Sequence, residues 1–392
     1  MANTTSLFTR DFGLVVACNF LQGLASSSML TVPLYLDHLG ANRTEIGFIM
    51  ASGAVGGLLA RPVVGWALEV KGRKRTLTVG TLLLLLAMFL FGLVVDISSL
   101  VFVARITAGI SVGALFSGYL ALASDIVPAH RRTEGIALYG VSGLLGFLVN
   151  PLIGELRLDP ADLRFVFPAL IVPAALSLLS LHAIRGRDHE RVDRARPSVR
   201  SLIQAAAQPS LWSVWWAAMT FSGLVALFAT FAGVAAENRG LPRPSAIWAM
   251  YSLGAVVVRV GGARIPDLVG PARLVPPAVM IYAAAAVVLS AATTTSGFLW
   301  AGLLAGISHG TAFPVLVSLV TARVADHERG VTLTAYTGIW ELTALVGPPV
   351  FGLVADSFGF ELTFRAAAIF SLIALILWWP IERGSKRAIR LG

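Results

Sequence analysis

The stretch RPVVGWALEVKGRKR, residues 61–75, returns in altered form as RVGGARIPDLVGPAR, residues 259–273. At this shift of 198 residues, the first and last bases, the acid at the ninth position and the glycine at the twelfth coincide. At a shift of 197, the pattern AGIS-x-G-x-x-F of residues 108–116 recurs at residues 305–313. Because these residues recur in the same order at half the chain length, the sequence predicts two copies of one structural unit.

The composition places both copies in a membrane. The chain has 392 residues, of which 56% are hydrophobic and 13% charged, and its mean hydropathy is +0.79. Soluble domains carry about 25% charged residues. A spanning helix needs about 20 apolar residues, and twelve such stretches follow one another. In lipid the backbone polar groups must be satisfied within each stretch, which predicts helices rather than strands. The predicted spans are 12–36, 45–68, 76–95, 98–123, 133–155, 164–183, 210–236, 244–263, 274–294, 297–321, 330–355 and 362–381.

The repeat and the spans together predict the architecture. Six helices per copy leave both copies in the same orientation, which is a parallel repeat about an axis along the membrane normal. We therefore expect an all-α integral membrane protein with 12 transmembrane helices in two pseudo-symmetric six-helix bundles, residues 1–183 and 209–392. The charged segment 184–208 between them is predicted to be a cytoplasmic linker, either a solvated tether or a helix on the membrane surface.

The distribution of basic residues predicts the orientation. With the N-terminus inside, 21 of the 30 Lys and Arg fall in cytoplasmic segments, six in external segments and three within spans. This asymmetry follows the positive-inside rule and predicts a multi-pass membrane protein with both termini in the cytoplasm. The net charge of +9 is then explained by topology, so we expect no nucleic-acid partner.

Several motifs carry a family resemblance. The loop GWALEVKGRKR, residues 65–75, resembles the signature Gly-x-x-x-Asp-Arg-x-Gly-Arg-Arg/Lys of the major facilitator superfamily, with Glu in place of the usual Asp and Val in place of the usual base. Arg61-Pro62 resembles a pair seen in bacterial efflux members, and Gly146-x-x-x-Asn150-Pro151-x-x-Gly154 is similar to the family's antiporter motif, with Asn where Gly usually precedes Pro. The resemblance implies the family's two-bundle fold and an efflux-permease-like transporter of the bacterial inner membrane.

The loop motif has a mechanical interpretation. A carboxylate near a helix end and a run of bases can pair with neighbouring helices, and such pairs bias an equilibrium between two gate states. The alternative is that the bases only anchor the topology and contact anionic lipid. The two in-span arginines near the ends of the second and eighth spans are expected to pair at the bundle interface or to close the inner gate. The predicted gating residues are Arg61, Glu69, Gly72, Arg73, Arg259, Asp267 and Arg273.

Ionisable residues deep in the spans predict the coupling site. Glu341 lies eleven residues after Gly330, about 16 Å into its span, and His309 lies about 18 Å into the tenth span, so both are near the midplane. A charged group there is costly unless it is paired or hydrated. Glu341 is predicted to carry protons or bind a substrate cation, with a structural hydrogen bond or ion pair as the alternative. His309 is either its partner or a satisfied interior residue. The resemblance assigns Arg105 to proton or substrate handling.

Further polar and aromatic residues are candidates for the substrate cavity. Asn19, Gln22 and Asn150 either bind a substrate or connect helices by hydrogen bonds. Trp216 and Phe228 of the aromatic seventh span either form an apolar substrate wall or belong to an interfacial aromatic belt.

The sequence predicts a secondary active transporter and no enzyme. It has no phosphate-binding loop of the Walker type and no Cys/His spacing typical of a metal site, so we expect neither cofactor nor metal. The leading hypothesis is proton-coupled export, by antiport and alternating access, of a small amphipathic or cationic molecule. The alternatives are proton-coupled uptake of a small nutrient such as a sugar or organic acid, and a non-transporting membrane receptor or scaffold. The expected partners are a small-molecule substrate, protons and membrane lipid, and the expected state is a monomer.

Overall fold

The computed structural model describes residues 6–128, 131–156, 160–185, 199–262, 264–325 and 328–391. All regular secondary structure in these ranges is helical. Short 3-10 turns at Ser28–Leu30, Gly146–Leu148, Pro160–Phe165, Pro209–Leu211 and Pro244–Ala246 connect α-helices. The α-helices are α1 Arg10–Ser27, α2 Val32–His38, α3 Arg43–Val70, α4 Arg73–Leu93, α5 Ser99–Ile126, α6 Arg132–Leu145, α7 Val149–Glu155, α8 Val166–Ala169, α9 Ile171–Ala183, α10 Val199–Ala207, α11 Trp212–Asn238, α12 Ile247–Gly261, α13 Ile265–Val269, α14 Pro271–Ala291, α15 Thr295–Ala322 and α16 Arg329–Leu391.

Each of the twelve predicted spans falls on helical structure. Among the described residues, ten helical segments are long and apolar enough to cross a membrane, and a shorter apolar segment covers Leu138–Gly154. The last segment, within α16, contains both the eleventh and the twelfth predicted spans, and only Gly359 departs from helical geometry there, with φ 80° and ψ 166°. The prediction of an all-α, multi-pass membrane protein is confirmed.

The fifth span differs from the single helix that the sequence predicts. It consists of α6, a 3-10 turn at Gly146–Leu148 and α7. At the turn, the hydroxyl of Ser27 donates a 2.7 Å hydrogen bond to the carbonyl of Gly146, and a Cβ built on Gly146 would lie 2.5 Å from the backbone of Gly23. This close contact with α1 gives the Gly146 carbonyl a partner outside its own helix at the point where the helical winding tightens.

The chain divides into two compact units. The first contains Met1–Ala41 and Ser52–Ala195, and the second contains Asn42–Ala51 and Arg196–Gly392. The start of α3 therefore packs with the second unit. Most of the predicted linker, residues 186–198, lies outside the described residues, whereas its last part forms α10. The boundaries at residues 183 and 209 stay a prediction.

Glycines bring helices into close contact in each unit. In the first unit, a Cβ on Gly109 of α5 would lie 1.9 Å from the carbonyl oxygen of Gly53 on α3. In the second unit, a Cβ on Gly306 of α15 would lie 2.0 Å from the carbonyl oxygen of Tyr251 on α12. Gly109 and Gly306 occupy the same position in the two copies. Small residues at such crossings let helix backbones approach where lipid supplies no hydrophobic driving force.

A buried ion pair connects three helix ends in the second unit. Arg323, just after α15, places its Nη2 2.8 Å from Oε1 of Glu382 on α16, and both side chains are about 5% exposed. Ser213 of α11 donates to Glu382 at 2.6 Å and accepts from Arg323 at 2.9 Å. Because each charge is hydrogen-bonded as well as paired, the cost of burying the two groups is offset.

Candidate functional site

His309 lies at the centre of an aromatic cluster in the second unit. The hydroxyl of Tyr251 on α12 is hydrogen-bonded to Nδ1 of His309 on α15. Four rings surround the imidazole, with centroid separations of 5.6 Å for Phe221 and Tyr251, 5.9 Å for Trp340 and 6.0 Å for Phe313. These separations are typical of attractive aromatic contacts, so four helices hold the imidazole in place.

The cluster extends through Phe228, a residue predicted for the substrate cavity. Its ring lies 5.8 Å from Tyr282, and 6.3 Å from both Trp248 and Tyr251. Phe228 is 1% exposed, so in this structure it is a packed member of the cluster. Its role in a substrate wall stays a prediction.

The cluster borders two further charged residues. The guanidinium of Arg259, on α12, lies 5.8 Å from the centre of the Phe313 ring, within cation–π distance. Glu341, half-buried on α16, directly follows Trp340, whose ring contacts His309. From depth along the spans, His309 is predicted as a partner of Glu341, and their pairing stays a prediction.

Four polar atoms in this region are buried without a hydrogen-bond partner among the described residues. They are Nε1 of Trp340, Nε of Arg259 and the hydroxyls of Tyr282 and Tyr336. Buried donors in folded proteins are nearly always satisfied by protein, water or ligand. The cluster can therefore offer hydrogen bonds to a polar group that enters it.

Arg105 occupies a different place, in the first unit. Its guanidinium lies against Gly53 of α3, where a Cβ would be 2.9 Å from Cζ of the arginine. The Nε of Arg105 is buried without a hydrogen-bond partner among the described atoms. Glycine at position 53 thus makes room for a cation that cannot be neutralised by deprotonation.

The predicted cavity amide Asn19 connects α1 to α6. Its Nδ2 donates to the carbonyl of Tyr139 at 3.1 Å and to the hydroxyl of Ser142 at 2.9 Å. The amide of Gln22 donates to Ser26 at 3.4 Å, while its Oε1 is buried without a partner among the described residues. Asn19 therefore connects helices in this structure, and substrate binding by either amide stays a prediction.

Asn150 and Trp216 also make hydrogen bonds within their own units. Oδ1 of Asn150 accepts from the hydroxyl of Thr31 at 3.0 Å, and its Nδ2 donates to the carbonyl of Phe147 at 3.1 Å. Nε1 of Trp216 donates to the carbonyl of Ala374 on α16 at 2.7 Å. These contacts support a structural role for both side chains, and their contact with substrate stays a prediction.

The loop between α3 and α4 contains the predicted gating residues of the first unit. Nε of Arg73 lies 3.2 Å from Oδ2 of Asp125, in the last turn of α5, and its Nη1 donates to the carbonyl of Leu68 at 2.6 Å. Glu69 is exposed. The carboxylate that pairs with Arg73 is therefore Asp125, which the sequence analysis missed, although it is an acid at a helix end next to the loop.

Both copies of the loop require glycine before the helix that follows. Gly72 precedes α4 with φ 89°, and Gly270 precedes α14 with φ 84°. Backbone conformations with such positive φ values are open to glycine and strained for other residues. This shared geometry explains why the glycine recurs in the repeat.

The other gating candidates are only partly defined. Arg273 donates from Nη1 to the carbonyl of Val269 at 3.1 Å, within its own loop. Arg61 is half-buried on α3. The side chain of Asp267 lies outside the described part of the structure. The gating roles of these residues stay predictions.

Comparison with known proteins identifies the family. The model of the Major Facilitator Superfamily matches residues 12–303 and 245–391. Multidrug resistance protein 1 of Bacillus subtilis (strain 168) is 28% identical over 152 residues, which are 38% of this chain and 39% of that protein. Quinolone resistance protein NorA of Staphylococcus aureus (strain Mu50 / ATCC 700699) is 27% identical over 123 residues, 31% of each chain. The matched region therefore spans about a third to two fifths of these relatives.

Solved structures show the same fold at low identity. The nucleoside transporter NupG superposes with a TM-score of 0.80 at 11% identity, covering 95% of this chain and 100% of NupG. The human organic anion transporter MFSD10 superposes with a TM-score of 0.71 at 17% identity, covering 94% of this chain and 99% of MFSD10. With twelve predicted spans on helical structure, the repeated loop geometry and a family match along nearly its whole length, the chain belongs to the Major Facilitator Superfamily.

Proposed function

We propose that this transporter exports a small amphipathic or cationic molecule in exchange for protons, by alternating access. The observation that carries the proposal is the cluster in which Trp340 contacts the His309 ring while Glu341 follows as the next residue. His309 thus lies inside the aromatic cluster near the predicted midplane, and Glu341 is the residue after one of its members on α16. In a membrane interior such groups are costly, and they commonly mark proton or substrate paths.

The proposed division of labour follows the chemistry of the side chains. Glu341 takes up and releases the coupled proton, His309 adjusts that exchange through its hydrogen bond to Tyr251, and Arg105 acts on substrate or proton from the first unit. The aromatic rings supply apolar contact for an amphipathic molecule, and a cation gains from their faces. We propose that the protein lies in a bacterial inner membrane as a monomer, with both termini in the cytoplasm.

Export is favoured over uptake by the named relatives. The two bacterial relatives are described as resistance proteins, and expelling a toxic compound requires outward transport. NupG is a nucleoside transporter, but its 11% identity supports a common fold alone. Uptake of a small nutrient is therefore the alternative that the transport experiment must exclude.

The test is transport by the purified protein in liposomes with an imposed pH gradient. A fluorescent amphipathic cation reports substrate movement, and an enclosed pH dye reports proton flux. We expect substrate to accumulate against its gradient while protons move the opposite way, and accumulation to stop when an ionophore removes the pH gradient. Glu341→Gln should reduce gradient-driven accumulation at least tenfold, whereas Glu361→Gln, at a 60% exposed acid on the same helix, should not.

Each alternative has its own outcome. If Glu341→Gln transports with unchanged dependence on the pH gradient, the proton is carried elsewhere. Accumulation in the same direction as the protons would identify uptake. A folded, reconstituted protein that moves no substrate in a broad ligand panel would favour a receptor or scaffold.

A further inference from the structure

The first unit contains an apolar groove that the proposed transport mechanism does not use. It lies between α3, α4 and α5 and has a volume of about 420 Å³, within the range of small-molecule sites. Its walls are almost entirely apolar and include Val63, Ala67, Leu83 and Ile110. Val63 is 62% exposed and Val79, across the groove, is 57% exposed, so the groove opens at the surface of the unit.

The length of the groove matches one leaflet of a bilayer. The part of its lining on α3 and the residue after it runs from Ala60 to Lys71. Eleven residues at about 1.5 Å each cover roughly 16 Å. Half of a typical hydrocarbon core is about 15 Å thick. An apolar chain lying in the groove would therefore extend from the charged end of α3 to about the middle of the membrane.

The four bases of the adjoining loop divide into two pairs. Arg73 is held by Asp125, and Lys74 donates to the carbonyl of Ile184, so both are engaged by the protein. Lys71 and Arg75 line the mouth of the groove and are exposed. Within the described residues, neither forms a hydrogen bond or an ion pair, and Lys71 lies 5.6 Å from the centre of the Trp66 ring.

We propose that this groove binds an anionic phospholipid, with one acyl chain along its apolar walls and the phosphate between Lys71 and Arg75. The apolar lining selects a hydrocarbon chain, and the two unneutralised bases select a negative headgroup over a zwitterionic one. Basic residues near a membrane surface each add to the attraction for anionic lipid. The site is separate from the His309 cluster, which lies in the other unit.

The experiment measures lipid binding to the full-length protein, independently of transport. Native mass spectrometry of the detergent-solubilised protein gives dissociation constants for phosphatidylglycerol and for phosphatidylcholine with the same acyl chains. We expect the wild-type protein to bind phosphatidylglycerol more tightly. Lys71→Gln combined with Arg75→Gln should weaken phosphatidylglycerol binding about 30-fold and leave phosphatidylcholine binding unchanged.

A matched control removes the same charge from another surface. Arg383 and Arg387 are exposed on the last turns of α16. Arg383→Gln combined with Arg387→Gln should therefore leave the affinity for the first bound phosphatidylglycerol molecule unchanged. An equal loss in this control would show non-specific attraction and overturn the proposal. Wild-type affinity in the Lys71→Gln and Arg75→Gln double variant would also overturn it.

A second pair of variants tests the groove itself. Ala67→Phe fills the groove while both bases remain, and it should weaken phosphatidylglycerol binding at least tenfold. Ala60→Leu, at the other end, provides the same test with a smaller side chain if Ala67→Phe does not fold, as judged by size exclusion and thermal unfolding. Unchanged affinity in a folded groove variant would mean that the lipid binds at the surface only, against the proposal.

Discussion

The carboxylate of Asp356 is bonded to the first turn of α3 through Thr44. Oδ2 of Asp356 lies 2.6 Å from the hydroxyl oxygen and 2.8 Å from the amide nitrogen of Thr44. Oδ1 accepts from the amide of Arg43 at 3.1 Å. The first amides of a helix have no partner within it, and their positive dipole end favours an anion. Asp356 therefore caps a helix that lies more than 300 residues earlier in the chain.

We predict that Asp356→Asn weakens this cap. The neutral amide has one acceptor oxygen in place of two charged ones, and hydrogen bonds to charged groups contribute about 1.5–3 kcal/mol. Because the carboxylate is partly exposed, we expect the lower end of that range, seen as about tenfold faster hydrogen exchange at residues 43–46 by mass spectrometry. Ser357→Ala is the control, since among the described residues the Ser357 hydroxyl bonds only to the carbonyl of Leu353. Equal exchange in all three proteins would contradict the prediction.

The buried pair of Arg323 and Glu382 should be essential for stability. Glu382→Gln leaves an uncompensated guanidinium, which typically costs about 3–5 kcal/mol for a buried pair. We expect a clear decrease in the thermal unfolding temperature in detergent. The control is Glu361→Gln, because Glu361 and Arg365 form an exposed pair four residues apart on a helix, and such pairs contribute about 0.3–0.5 kcal/mol. If both variants lowered the unfolding temperature by similar amounts, the buried pair would contribute no more to stability than the exposed one, against the prediction.

The glycine crossings should be intolerant of a single methyl group. Gly109→Ala and Gly306→Ala each place a Cβ about 2 Å from a backbone oxygen of another helix, so the helices must separate. Gly113→Ala is the control, because its Cβ would be 3.9 Å from the nearest atom and alanine favours a helix. We expect size exclusion to show lower yields of folded protein for Gly109→Ala and Gly306→Ala, and a normal yield for Gly113→Ala. A normal yield for Gly109→Ala would show that the close contact is not needed.

Arg73 should be energetically coupled to Asp125 and not to Glu69. In a double-mutant cycle on thermal unfolding, Arg73→Gln and Asp125→Asn should be non-additive, since each breaks the same ion pair. With both side chains about a quarter exposed, we expect a coupling of about 1 kcal/mol or less. The parallel cycle with Glu69→Gln should be additive. A larger coupling to Glu69 would restore the partner that the loop motif indicates.

The fold was predictable because it depends on apolar length and on a repeat, both of which are written along the chain. The partners of individual charges were not. Arg323 and Glu382 are 59 residues apart, and no motif or depth in a span singles either of them out. For the same reason the loop motif indicated Glu69 as the gating carboxylate, whereas Arg73 pairs with Asp125. Depth along a helix indicates that His309 lies near the midplane, but its hydrogen bond to Tyr251 depends on how α12 and α15 cross.

Gly359 determines how the last membrane-spanning segment of α16 is rotated about its own axis. Beyond it, the buried positions of α16 include Phe364, Ala368, Ser371 and Trp378, which form one stripe along the helix. Only one non-helical residue separates the segment that carries this stripe from the preceding membrane-spanning segment of α16. No loop is therefore present there to absorb a change in length. One inserted residue beside Gly359 would turn the stripe by about 100°. Natural length variation should therefore be confined to other connections, since an insertion here would turn Phe364 and Trp378 away from the residues they now pack against.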